Sequence, residues 1–201
     1  RGLLVKAYLA CVSRGDLRLM RASLDLVPPA DRTEDRAVYL AIWAGLLERQ
    51  PDRALEAATQ TPRDYLVDTT GFFTGPKAML VATAHRLAGK ANLARQQLQS
   101  AESLLRSRLK EDPANLADAV MLGTVLAWLD QGAEAQSIVA PVERTWAEQI
   151  SQRQAELLAE YHTARGDVPR AAAYLRIAVT ASSPDRRWAR WWWRPIWLRG
   201  R

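Results

Sequence analysis

The chain carries two histidines, His85 and His162, and one cysteine, Cys11, so imidazole or thiolate chemistry would have to begin from these three side chains. A helical zinc site needs a second histidine four residues along the same face, and neither His85 nor His162 has one. A single cysteine excludes an intrachain disulfide and a cysteine-based metal cluster. The stretch "GFFTGPK" at 71–77 suggests a phosphate loop. Yet Gly71 and Gly75 enclose three residues where four are needed, and Pro76 removes an N–H that would cradle phosphate. No serine–histidine–acid order, paired catalytic carboxylates or cysteine–histidine pair stands in a credible setting. Both histidines lie four residues before a glycine, Gly89 and Gly166, which marks a packing position. The expectation is a segment with no catalytic residue, no metal ligand and no cofactor, whose work is binding.

The elements that would hold these residues are clearest at 155–179. Ala155, Leu158, Ala159 and His162 recur at i, i+3, i+4 and i+7, which lines one face of a helix. Gly166 supplies the left-handed residue that ends it, Asp167 can cap the next helix, and Pro169 falls in that helix's first turn. Ala171, Tyr174, Leu175 and Ala178 repeat the spacing. Such a hairpin cannot bury its apolar faces alone, which predicts a stack of similar units. Gly15, Gly89 and Gly132 mark corresponding turns upstream, and Arg49 takes that place in a unit without a turn glycine. Successive markers stand 34, 40, 43 and 34 residues apart. Before Gly132 the inward face comprises Met121, Thr124, Val125 and Trp128. Five residues past the markers stand Met20, Ala54, Ala94, Ser137 and Ala171, four of them small, as close helix crossing requires.

This pattern resembles the tetratricopeptide repeat family over roughly residues 3–180. The resemblance implies an all-α fold, a tetratricopeptide-like right-handed solenoid of about five helical hairpins within residues 1–183. In that family the first helix of each unit lines a concave groove. By register, the groove would take Arg36, Tyr39, Trp43 and Leu46, then Met79, Thr83 and Arg86. Leu122, Leu126 and Leu129 would follow, then Arg153, Glu156, Glu160 and Thr163. Partner contacts are expected from Tyr39, Trp43, Met79, Arg86, Leu122, Leu126 and Glu156, and the apolar middle suits an amphipathic helix. The alternative for the three leucines is core beneath the third unit's long helix, and Tyr39 and Trp43 carry the same ambiguity. The implied partner is another protein or another domain of the same chain. The resemblance extends to C-terminal sensor regions of multidomain bacterial regulators, which would make a chain beginning at Arg1 part of a larger signalling protein.

Residues 61–76 are rich in Gly, Pro and Thr and are expected to form an ordered crossing loop. A long helix follows, with Ala94, Leu98, Ala101, Leu105 and Leu109 on its inner face, and Asp112-Pro113 stops it. The net charge of +6 is localised: residues 186–201 hold six arginines and no acid, leaving 22 basic and 22 acidic residues in 1–185. Five of the eight tryptophans share that tail. Three explanations stay open. Arg187, Trp188, Arg190, Trp191 and Arg194 could meet an anionic membrane surface. They could stack on bases and neutralise phosphates of a nucleic acid. Or residues 184–201 arise from a shifted frame of GC-rich DNA. No apolar run reaches signal or membrane-spanning length, and the cytoplasm is the default expectation.

Overall fold

The computed structural model describes residues 2–68 and 73–181, with side chains other than those of 12–14 and 181. The described chain is predominantly helical. It runs α1 (Gly2–Arg14), α2 (Leu17–Asp25), a 3-10 turn (Pro29–Asp31), α3 (Asp35–Leu47) and α4 (Pro51–Ala58). Two short strands follow, β1 (Tyr65–Val67) and β2 (Thr74–Pro76). The remaining helices are α5 (Lys77–Leu87), α6 (Ala91–Glu111), α7 (Leu116–Trp128), α8 (Gly132–Trp146), α9 (Gln152–Ala164) and α10 (Val168–Ala181). The described chain divides into two compact units between Gln97 and Leu98, within α6.

Five helix ends use one backbone device. Gly15, Arg49 and Gly89 in the first unit have φ of 64°, 56° and 71°, and Asp130 and Gly166 in the second have 66° and 74°. After four of them the next N–H reaches back five residues: Gln50 to Gly45, Lys90 to His85, Gln131 to Leu126 and Asp167 to His162, at 2.8–2.9 Å. At Gly15 the turn is one residue wider, with Asp16 bonding Ala10 at 3.0 Å. This is the Schellman type of ending, which satisfies carbonyls that the helix itself leaves open. The residue five past each turn then donates to the carbonyl one past it, from Met20, Ala54, Ala94, Ala135 and Ala171, at 3.0–3.2 Å. All five of these side chains are buried.

The fourth turn corrects the sequence expectation. Its left-handed residue is Asp130, not Gly132, which is the first residue of α8 and has open space where a Cβ would stand. Aspartate's short polar side chain tolerates this conformation, so the nearby glycine was a misleading marker. The register of α7 therefore moves by two residues. Leu126, not Trp128, stands four before the turn, and Ala135, not Ser137, stands five after it.

Each unit packs helices at close range. In the first, Leu4, Met20, Leu24, Val38, Leu40 and Ile42 belong to one core, with Leu66 of β1. A Cβ on Gly45 of α3 would meet Ala54 N of α4 at 2.7 Å. In the second unit α7 packs on both α8 and α9, so Val120 through Leu126 are all buried. An apolar helix buried all round has no single inward stripe to reveal its register. Residues 61–76 differ from a simple crossing loop: β1 and β2 pair antiparallel, with Leu66 opposite Gly75.

Candidate functional site

The residues with the most distinctive arrangement are four aromatic rings in the first unit. Tyr39 and Trp43 stand one turn apart on α3, so their side chains meet, at 6.0 Å between centroids and 11° between planes. Tyr8 of α1 approaches Trp43 at 6.3 Å, and Phe73, just before β2, stacks on Tyr39 at 4.6 Å and 4°. Tyr39 in the middle is buried, whereas Tyr8, Trp43 and Phe73 are half-buried.

Charged residues at the start of α3 hold Phe73 in this row. The buried Asp35 carboxylate accepts from Val67 N–H and from Arg63 Nη1, both at 2.9 Å. Arg36 donates through Nε and Nη2 to Asp68 Oδ1 at 3.0 and 2.9 Å. Asp68 N–H donates in turn to the Phe73 carbonyl at 3.0 Å, and Lys77 Nζ donates to the Thr61 carbonyl at 2.8 Å. Charge-assisted bonds to buried carboxylates are the strong class. Arg36, expected on the groove, is thus spent on fixing the strand pair.

The other expected contacts separate. Met79 is buried on α5, and Arg86 is exposed. His85 is half-buried; its imidazole is pulled below the ordinary value by burial and then by Lys90 nearby, and its Nδ1 has no hydrogen-bond partner. Leu122 and Leu126 are core residues at 3% and 0% exposure, which removes them from any open surface of the second unit. The two-residue shift explains this: Leu126 occupies the packing slot four before the turn. Leu129 is buried as well. Glu156 is buried on α9, accepting from Gln152 Nε2 at 2.9 Å and Arg153 Nη1 at 3.4 Å. One turn on, the half-buried Glu160 carboxyl is pushed up to about 6, chiefly by burial, with Glu156 adding and Arg153 opposing. The proposed tail contacts Arg187, Trp188, Arg190, Trp191 and Arg194 lie outside the described residues.

His162 is a structural tie. Its ring is fully buried, with Nε2 2.8 Å from Glu143 Oε1 of α8. Tyr174 of α10 donates to the same oxygen at 3.0 Å and stacks on the imidazole at 5.5 Å, while Tyr161 meets its edge. Three helices are joined through one solvent-excluded imidazole, which no substrate can reach. Among the described residues no group of three or more side chains is placed to hold a metal ion, and no helix is long and apolar enough to cross a membrane.

The sequence missed Tyr8 and Phe73 as members of the aromatic row, although adjacent phenylalanines in a Gly/Thr-rich loop were a visible signal. No protein-family model, curated protein or solved structure matches the chain.

Proposed function

We propose that the chain is a tetratricopeptide-like right-handed solenoid that serves as a protein-interaction scaffold, contacting a partner protein or a neighbouring domain of its own chain through the aromatic row. The observation that carries this is the row itself, Tyr8–Trp43–Tyr39–Phe73, on helices locked by packing and by the Asp35 and Arg36 ion pairs. Half-buried aromatic side chains offer large apolar area at little cost in side-chain entropy, and aromatic residues are enriched in binding hot spots. Their rigid mounting favours a partner that brings an apolar helix face or extended segment to the row. A place within a larger bacterial signalling protein accords with this role.

The test is retention of a partner from host lysate on the full chain and on Trp43→Ala, washed at high salt. A protein held by the wild type and at least about tenfold less by the variant supports the role, as loss of a hot-spot aromatic costs about 2 kcal/mol or more. Equal retention by both removes the aromatic row from the function.

A further inference from the structure

A second site lies on the opposite side of α3 from Tyr39 and Trp43. There α2 and α4 face one another over Ala37, Val38 and Ala41, leaving a cavity of about 390 Å³. Small side chains on the floor, with Ala57 on the wall, create the space. Its volume falls at the lower end of the roughly 300–1,000 Å³ of small-molecule sites.

The charges around it are partly unspent. Arg21 and Asp25 stand one turn apart on α2, and Arg53 and Glu56 about one turn apart on α4; all four line the cavity. Each of α2 and α4 neighbours α3 in sequence across a reversal of the chain, so both run the same way. The basic residue therefore precedes the acidic one on both walls, placing Arg21 and Arg53 at one end and Asp25 and Glu56 at the other, where the Arg32 guanidinium on the Val27 and Asp25 carbonyls leaves one of the two acidic charges in excess. Arg21 is paired with Glu48 at 2.6 Å, and Arg32 is committed to the Val27 and Asp25 carbonyls at 2.9 and 3.2 Å. Among the described residues, the side chains of Asp25, Arg53 and Glu56 have no hydrogen-bond or ion-pair partner. Unpaired charges of opposite sign, set one helical turn apart over an apolar floor, match a ligand that carries both signs. The three residues from Arg53 to Glu56 rise roughly 4.5 Å, and their long side chains widen the separation of the charges. An extended chain advances about 3.3–3.6 Å per residue, so two residues span that separation.

We propose that this cavity binds a zwitterionic dipeptide with apolar side chains, its carboxylate toward Arg53 and its ammonium toward Asp25 and Glu56. The probe is L-leucyl-L-alanine, titrated calorimetrically into the full chain beside its N-acetylated and C-amidated forms. The free dipeptide should bind, and blocking either end should weaken it at least about tenfold. Arg53→Gln should erase the discrimination against the amide, and Glu56→Gln should erase it against the acetylated form. Both residues are exposed, so both variants should fold, as circular dichroism would verify. Arg53→Gln and Glu56→Gln should leave partner retention by the aromatic row unchanged, which separates this site from the row. Absence of binding by the free dipeptide at millimolar concentration overturns the proposal, as does equal binding of free and blocked forms.

Discussion

The close helix crossing at Gly123 gives the sharpest test of the packing. A Cβ placed there would stand 2.2 Å from Val139 Cγ2 of α8, 3.4 Å from the Ala135 carbonyl and 3.6 Å from Tyr161 Cδ2. Carbon pairs pack best at about 3.5–4.0 Å, so only the valine contact is prohibitive. Val139 is fully buried and, being β-branched in a helix, has one strongly preferred rotamer. Gly123→Ala should thus overpack the α7–α8 crossing by about 1–3 kcal/mol. The better helix propensity of alanine returns about 1 kcal/mol, leaving a net loss near 1–2 kcal/mol. Val139→Ala alone removes two methyl groups and leaves a small cavity, for about 2 kcal/mol. Together the two changes relieve one another, because the new methyl enters the vacated space. The double variant should lose only about 1 kcal/mol, a coupling of roughly 2 kcal/mol. Urea unfolding followed by far-ultraviolet circular dichroism would supply all four stabilities. Gly45 is the control: its obstacles include Ala54 N at 2.7 Å and Ala54 Cα at 3.0 Å, which no side-chain change can remove. Gly45→Ala should therefore stay destabilising when combined with Ala54→Gly. Additivity within about 0.5 kcal/mol at the Gly123–Val139 pair would refute the proposed crossing and, with it, the corrected register of α7.

Two predictions concern pH. Burial raises the Glu160 carboxyl from 4.5 to about 6, so folding favours its protonated form. That contribution is complete below pH 4.5 and is lost as pH rises through 6. Glu160→Gln should match the wild type near pH 4 and exceed it at pH 7, by at most about 2 kcal/mol because the residue is half-buried; urea midpoints at the two pH values measure the difference, and no gain at pH 7 would count against the desolvation. Burial and the neighbouring Glu143 push the Tyr174 phenol up from 10 to about 12. Its neutral form is favoured by the fold, so this stability is intact below pH 10 and is lost toward pH 12. Tyr174→Phe should cost about 1.5–3 kcal/mol near pH 8 for the lost bond to a carboxylate, and should unfold less steeply than the wild type between pH 10 and 12; parallel alkaline profiles would contradict this.

What the sequence revealed follows from how local each constraint is. A helix ending closes hydrogen bonds within five or six residues, so its position can be inferred from a short window. That worked at Arg49 although arginine is a poor left-handed residue, because the 34-residue spacing from Gly15 carried the inference. It failed at Asp130, where Gly132 offered a better residue type two positions away and the surrounding apolar run gave no face to correct it. The error then moved Leu122 and Leu126 from the core to a supposed groove. Tertiary pairings offered no such window. Arg36 and Asp68 lie 32 residues apart, and His162 and Glu143 lie 19 apart on different helices. The burial of His162 was implied by its place before Gly166, but its acid partner was one carboxylate among many. The aromatic row shows the same division. Tyr39 and Trp43 announce themselves by helical spacing, while Phe73 joins them only because Asp35 and Arg36 draw the strand pair onto α3. Residues that make the site thus depend on residues that take no part in it. If the row makes the proposed partner contact, changes at Asp35 or Arg36 should therefore weaken partner retention as much as changes to the rings they position.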